Sequence, residues 1–319
     1  MSDFLTYLDQ QHDRFESDLF EWLRMASIGT DSAYDKEVRQ AADWLADKFR
    51  ELGLETEMIE TCGHPLVYAE SPAIEGAPVV LVYGHYDVQP PDPLDLWDTP
   101  PFEPDVRDGN VYARGATDDK GQMITHLFGV EAYLKSKGQL PVQVKFLIEG
   151  EEESGGAGLD AFLRGEYDKD VPVSEKLAAD IVVISDSSQY APGQPAITYG
   201  LKGIMYCQLN LQGPNRDLHS GAFGGSVNNP ANALSEMLAK LKDENGRIQI
   251  PGFYDDVREL SEQERRQWRQ LGQGDQQFAD SVGVPALFGE SGYSTDERRW
   301  ARPTFDINGL TSGHQGEGV

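Results

Sequence analysis

Three apolar stretches of the sequence each run directly into side chains that can bind a metal ion or carry a proton. These side chains are histidine and carboxylates, and they are His85 and Asp87 after 78–83, the run 151–153 after 142–148, and Asp186 after 181–184. Each stretch is about strand length and rich in valine and isoleucine, which is typical of strands buried on both faces.

Helices with a repeating apolar face are predicted at 37–52 and 122–137, so that strands and helices alternate along the chain. This alternation predicts an α/β fold in which helices flank a central sheet. Ligands of such sheets bind beyond the carboxyl ends of the strands. We therefore expect the three groups of polar side chains to meet at one edge and to form one site.

Each motif has a plainer alternative. His85 could bind a metal while Asp87 holds its other ring nitrogen, or the pair could be a polar strand end. Within 114–121, Asp118 could bridge two cations about 3.5–4 Å apart, or belong to a helix cap. The run 151–153 could supply one carboxylate that holds metal and another that takes a proton from water, or it could be an exposed acidic turn.

The charge of the chain excludes some classes of partner. The sequence has 54 acidic and 27 basic residues and a net charge of −27, so nucleic acid and anionic membranes are poor partners. No apolar run approaches the roughly 18 residues of a membrane span. The N-terminal sequence lacks the pattern of a secretory signal, and Cys62 and Cys207 form no paired motif. We expect a cytoplasmic protein whose two thiols are buried or half-buried.

The sequence changes character near residue 204. Apolar and polar residues alternate at 204–211, which predicts a strand, a helix is predicted at 229–241, and a short strand follows at 304–307. We interpret 1–203 as a catalytic domain and 204–319 as the beginning of a second α+β domain.

Together the motifs resemble those of the M20 metallopeptidases, and in particular the branch of the carnosine-type dipeptidases. The matching segments occur in the family's order and span nearly the whole chain: 84–90, 97–104, 114–121, 149–155, 185–186, 216–221 and 309–318. The resemblance implies a zinc-peptidase-like catalytic domain with a mixed sheet flanked by helices, joined to a lid domain that also forms dimers.

The resemblance also implies roles for individual residues around two divalent ions, zinc or alternatively manganese. The implied metal ligands are His85, Asp118, Glu153 and Asp186. Of these, His85 and Asp186 bind one metal, Glu153 binds the other, and Asp118 bridges them. Glu152 is then the general base and Asp87 orients His85. The peptide bond after Asp118 is commonly cis in this family.

His219 is implied to act in a homodimer, where it reaches the partner's site and donates a hydrogen bond to the developing oxyanion. The family's substrate-binding arginine and last histidine ligand are expected beyond residue 319. We therefore expect an incomplete lid and a weakened or empty second metal site in this chain.

The resulting hypothesis is a metal-dependent hydrolase that cleaves the amide bond of dipeptides or similar small peptide-like substrates. Two alternatives stay open at this point. One is an N-acyl amino acid deacylase of the same fold, and the other is a non-catalytic protein that binds metal or dimerises.

Overall fold

The computed structural model describes residues 3–167, 171–271, 274–314 and 316. The chain folds into two compact units, residues 1–196 and 197–319. The first unit contains the predicted strands and the residues His85, Asp118, Glu152 and Asp186, and the second unit contains His219.

A mixed five-stranded sheet forms the centre of the first unit, in the order β1-β2-β6-β3-β7. Its strands are β1 (Glu55–Ile59), β2 (Leu66–Glu70), β3 (Val79–His85), β6 (Gln143–Glu149) and β7 (Ile181–Ile184). Strands β6, β3 and β7 are parallel, whereas β1–β2 and β2–β6 are antiparallel. The carboxyl ends of the three parallel strands therefore lie at one edge, and the predicted strands and mixed sheet are confirmed. A separate hairpin consists of β4 (Asp105–Arg107) and β5 (Asn110–Tyr112).

The helices of the first unit pack on both faces of this sheet. They are α1 (Asp3–Gln10), α2 (His12–Leu23), α3 (Asp35–Glu51), α4 (Lys120–Lys137), α5 (Ala157–Leu163) and α6 (Val173–Lys176). The two helices predicted at 37–52 and 122–137 are confirmed as α3 and α4. Helix α4 ends at Gly138, whose φ of 79° is a left-handed conformation that favours glycine.

Neighbouring residues of β6 point to opposite sides of the sheet and join different hydrophobic clusters. Phe146 packs with Phe49 of α3 and Leu127 of α4, whereas Leu147 packs with Phe162 of α5. Because both faces of β6 are covered, its apolar run belongs to the core. This burial holds the strand end, and with it the acidic turn after residue 149, in a fixed position.

Two expectations about burial were wrong. Strand β7 was expected to be buried on both faces, but Ile181, Val182 and Ile184 are more than half exposed. The strand lies at the edge of the sheet and pairs only with β3, so it has fewer neighbours to cover it. Cys62 and Cys207 were expected to be buried or half-buried, but both are free and exposed because each lies outside the packed core.

The second unit consists of short helices in its described residues: α7 (Ser220–Phe223), α8 (Pro230–Ala239), α9 (Glu262–Gln270), α10 (Asp275–Ser281) and α11 (Thr295–Trp300). The helix predicted at 229–241 is confirmed as α8. Asn229 caps it by accepting a hydrogen bond from the backbone N–H of Ala231 at 2.8 Å.

The strands predicted at 204–211 and 304–307 are not formed in the described part of the second unit. A strand requires a hydrogen-bonded neighbour, and neither segment pairs with another in a ladder. Met205 and Tyr206 are about four-fifths exposed, so neither side chain packs into a core. No helix among the described residues is long and apolar enough to cross a membrane.

Candidate metal centre

His85 is the last residue of β3, and its side chain is completely buried. Its Nδ1 lies 3.1 Å from the backbone oxygen of Asp87 and 3.3 Å from the carboxylate Oδ1 of the same residue. Two acceptors around Nδ1 favour a proton there, so in the neutral ring, the form that binds metal, the lone pair lies on Nε2. Nε2 itself is buried without a hydrogen-bond partner.

The side chain of His85 presents this nitrogen to carboxylates from two other elements. Nε2 lies 3.1 Å from Oδ1 of Asp118 and 3.7 Å from Oδ2 of Asp186. His85, Glu152 and Asp186 each offer one ligand atom, and these atoms all lie within 4.8 Å of one another. A buried nitrogen that makes no hydrogen bond, with carboxylate oxygens around it, forms a donor set that fits a divalent cation.

The segment before α4 places Asp118 at this cluster. The peptide bond between Asp118 and Asp119 is cis. Asp119 is buried and accepts a hydrogen bond from the backbone N–H of His85 at 3.3 Å. Lys120 is also buried, and its Nζ donates to the backbone oxygens of Trp22 and Met25 at 3.0 and 2.7 Å. These contacts connect the loop of Asp118 both to β3 and to the end of α2.

The acidic turn after β6 is held by Asp87. The backbone N–H groups of Glu152 and Glu153 donate to the Asp87 carboxylate at 3.3 and 3.1 Å. Asp87 therefore contacts both the His85 ring and the turn that carries the two glutamates. Gly29 lies against the same carboxylate, because a Cβ at this position would be 2.8 Å from Asp87 Oδ2.

Glu153 is directed differently from Glu152. The amide of Gln89 donates to Glu153 Oε2 at 2.7 Å, and Glu153 is not a member of the cluster of His85, Glu152 and Asp186. Burial raises the pKa of Glu153, the Gln89 hydrogen bond opposes this change, and the negative charge of Asp118 adds to it.

Burial and like charge shift the titration of the site. Burial alone would lower the pKa of His85, but Asp87, Asp119 and Glu152 raise it to about 10. Burial raises the pKa of Glu152, with further contributions from Glu153 and Asp186 that His85 opposes. A cation at the cluster would relieve the repulsion between these carboxylates and compete with the proton on His85.

His219 lies in the second unit, at the N-cap of α7. Its Nδ1 accepts a hydrogen bond from the backbone N–H of Gly221 at 2.9 Å. No contact of His219 with a metal ligand follows from this position, so its proposed action across a dimer stays a prediction. Among the remaining histidines, His126 contacts Ser185 Oγ through Nε2 at 2.6 Å, next to Asp186.

The structure brings together His85, Asp118 and Asp186 of the predicted ligands, together with Glu152, whereas the predicted ligand Glu153 is bound by Gln89. The motifs did not predict the side chains that hold these groups. Lys120, Asp119 and Gln89 lie inside the quoted segments and were not assigned a role. The sequence offered one signal for two of them: Asp119 and Lys120 directly follow Asp118, the residue predicted to bridge the metals. Their burial and their contacts with α2 and β3 depend on the folded chain.

A sheet edge of this kind, with a buried histidine among carboxylates, defines the class of metal-dependent hydrolytic sites. The sequence profile of peptidase family M20/M25/M40 matches residues 81–311. The chain belongs to this family, and the predicted M20 membership is confirmed.

Proteins of known activity are similar to the chain over most of its length. It is 32% identical to the Cys-Gly metallodipeptidase dug1 of Schizosaccharomyces pombe over 98% of this chain and 67% of the relative. It is 30% identical to the human Beta-Ala-His dipeptidase over 95% of this chain and 62% of that relative. The chain thus spans about two thirds of the length of these relatives.

Solved structures show the same fold. The M20 family metallo-carboxypeptidase Sso-CP2 from Sulfolobus solfataricus matches with a TM-score of 0.76 and 32% identity, over 96% of this chain and 67% of that one. Human carnosine dipeptidase 1 matches with a TM-score of 0.73 and 27% identity, over 99% of this chain and 68% of that one. The predicted fold class is confirmed by these similarities.

Proposed function

We propose that the protein hydrolyses the amide bond of dipeptides or similar small peptides with the help of two divalent metal ions. The observation that carries this proposal is the buried Nε2 of His85, which makes no hydrogen bond and has the ligand atoms of Glu152 and Asp186 around it. The named metallodipeptidases among the relatives support the same reaction and substrate class.

His85, Asp186 and Asp118 would hold one ion, and Asp118 with Glu153 would hold the other. The distances of Asp118 and Asp186 from His85 Nε2 support the first group. One imidazole and several carboxylates suit zinc and also manganese, and we propose zinc as the physiological metal. When bound, the ions polarise the amide carbonyl and lower the pKa of a water molecule.

Glu152 would act as the general base. It removes a proton from the attacking water as the new C–O bond forms, and it passes this proton to the leaving amine as the C–N bond breaks. Its pKa is raised by burial, which moves the carboxylate towards the range in which proton transfer in both directions is efficient. Asp87 would orient His85 and the glutamate turn together.

The second unit would act as a lid and as the contact in a homodimer. His219 would then donate a hydrogen bond to the oxyanion in the partner's site. We also propose that the protein resides in the cytoplasm. An N-acyl amino acid deacylase and a non-catalytic metal-binding protein are less favoured, since the relatives above are named dipeptidases.

The decisive experiment replaces Glu152 by glutamine and measures both hydrolysis and metal content. With Cys-Gly or β-Ala-His and added zinc or manganese, the loss of the base should lower kcat about 10²- to 10⁴-fold. Metal stoichiometry should stay unchanged. Glu151→Gln is the matched control, because Glu151 lies in the same turn but accepts its hydrogen bond from the backbone N–H of Gly158.

Three results would contradict this assignment. Unchanged hydrolysis in Glu152→Gln would remove Glu152 as the base. Loss of one metal ion in that variant would make Glu152 a ligand instead, consistent with its place near His85 and Asp186. A parent chain that binds metal stoichiometrically but cleaves no peptide would favour the non-catalytic alternative.

A further inference from the structure

Asp186 lies where the sheet supports the metal centre least. It follows β7, a strand of four residues at the edge of the sheet, whose one neighbour among the described strands is β3. His85, by contrast, ends a strand that lies between two others, β6 and β7. The place of the Asp186 carboxylate, 3.7 Å from His85 Nε2, therefore depends on contacts outside the sheet.

Helix α4 supplies such contacts on both sides of Asp186. Nε2 of His126 lies 2.6 Å from Oγ of Ser185, the residue before Asp186. Oε1 of Gln122 accepts a hydrogen bond at 3.4 Å from the backbone N–H of Ser187, the residue after it. Gln122 and His126 are four positions apart in α4, so they project from the same face of the helix.

Gln122 also reaches the loop of another predicted ligand. Its Nε2 donates to the backbone oxygen of Thr117 at 2.7 Å. Thr117 directly precedes Asp118, whose Oδ1 lies 3.1 Å from His85 Nε2. The two ends of one amide therefore join the residue before Asp118 to the residue after Asp186. This side chain thus helps to set the distance between two carboxylates that face the same nitrogen.

The surroundings of His126 leave its ring free to make one directed contact. The ring lines an apolar cavity of about 320 Å³ together with Val80, Val82 and Val183. Valine side chains offer no hydrogen bond, so the hydroxyl of Ser185 is the polar group that fixes the ring, and the ring in turn fixes Ser185.

We propose that Gln122 and His126, together the α4 clamp, are positioning residues that set the spacing of Asp118 and Asp186 and so raise the affinity of the centre for its metal ion. The inference rests on the metal site of the proposed function and adds two residues to it. Ligands that are already held near their bound positions lose less conformational freedom when the ion binds.

Zinc calorimetry on the full chain tests the clamp. Gln122→Met removes both amide contacts at similar side-chain length, and His126→Leu suits the apolar lining but cannot contact Ser185. Each should lower zinc affinity about 10-fold, as expected for residues that orient metal ligands. Thr125→Val is the matched control, because Thr125 is exposed and donates within α4 to the Gln122 carbonyl; it should bind zinc as the parent does.

A double-mutant cycle tests whether His126 acts through Ser185. Ser185→Ala should lower zinc affinity as much as His126→Leu, and the double variant should lose no more than either. Cobalt bound in place of zinc should show a changed visible absorption in Gln122→Met, because this absorption depends on the arrangement of the ligands. Urea unfolding of the metal-free variants measures any general loss of stability separately.

Parental zinc affinity in both Gln122→Met and His126→Leu would overturn the proposal. Lower stability with unchanged zinc affinity and cobalt absorption would also overturn it, because the two side chains would then be merely structural. Additive losses in the cycle would remove Ser185 as the contact through which His126 acts. Should His126→Leu not fold, Ser185→Ala tests the same contact by a smaller change.

Metal binding and hydrolysis fail separately. A parent chain that binds zinc but cleaves no peptide would defeat the proposed function, and the clamp would still be decided by the zinc affinities. A parent that binds zinc and cleaves peptides, with clamp variants that bind zinc equally well, would defeat the clamp alone. A parent that binds no zinc or cobalt would refute the clamp together with the metal centre.

Discussion

Replacing Asp87 by asparagine tests whether one buried carboxylate organises the metal centre. Asp87 is fully buried and contacts Nδ1 of His85 at 3.3 Å. It also accepts the backbone N–H groups of Glu152 and Glu153. Asparagine keeps the shape of the side chain, but it has one acceptor oxygen in place of two and carries no charge.

The contacts of Asp87 imply that this change lowers both the stability of the chain and its affinity for metal. One backbone N–H of the glutamate turn loses its acceptor and meets an amide NH₂ group, which costs about 1–3 kcal/mol of unfolding free energy. The His85 ring also loses the charge that fixes its orientation. Loss of such a carboxylate beside a histidine ligand lowers metal affinity about 10- to 100-fold, or about 1.4–2.8 kcal/mol.

Titration calorimetry with zinc or manganese measures the affinity, and urea unfolding of the metal-free chain measures the stability. Asp180→Asn is a matched control, because Asp180 accepts the backbone N–H of Val79 at the opposite end of β3. We expect the control to bind metal as the parent does. Metal affinity of Asp87→Asn within twofold of the parent would refute the view that Asp87 positions His85.

Two further changes probe the surroundings of the site. Gly29→Ala should lower the unfolding free energy by about 1–3 kcal/mol and weaken metal binding, because the new Cβ would lie 2.8 Å from Asp87 Oδ2 and 2.9 Å from the Gly150 carbonyl oxygen. Gly129→Ala in α4 meets no atom within 4 Å and should not destabilise in the same urea assay; equal effects of the two variants would disprove the packing argument. Burial lowers the pKa of His126 below its ordinary value of 6.5, so the unfolded chain binds the proton first and stability falls as pH drops below about 6.5. His126→Gln should lack this part of the pH dependence, at most about 1.4 kcal/mol per pH unit, when unfolding is compared at pH 7.5 and 5.5; identical slopes for parent and variant would contradict it.

The strands and helices that carry the site were predictable from local patterns. The apolar runs at 78–83, 142–148 and 181–184 became parallel strands, and His85 and Asp186 lie together beyond their ends. The patterns did not predict β1 or β2. Strand β1, with its alternation of polar and apolar residues, is defined mainly by its antiparallel pairing with β2.

Prediction failed where a segment depends on partners distant in sequence. The alternation at 204–211 has the period of a strand, but no ladder forms there in the described residues. The apolar composition of 181–184 indicated burial, yet β7 lies at the sheet edge and its side chains are exposed. The composition of a segment indicates whether its residues favour a strand or a buried position, but the topology of the fold decides how many neighbours the segment has.

The sequence by itself determined the chemistry of this protein: a histidine and carboxylates at three strand ends, in the order of a metallopeptidase family. Only the tertiary structure decided how these groups are held. It buried Lys120 against the end of α2, made Asp87 an acceptor for the glutamate turn, and joined the loops of Asp118 and Asp186 through Gln122. Residue types and their spacing specify which atoms can bind or react, but hydrogen-bond partners and burial arise from contacts between segments distant in the chain.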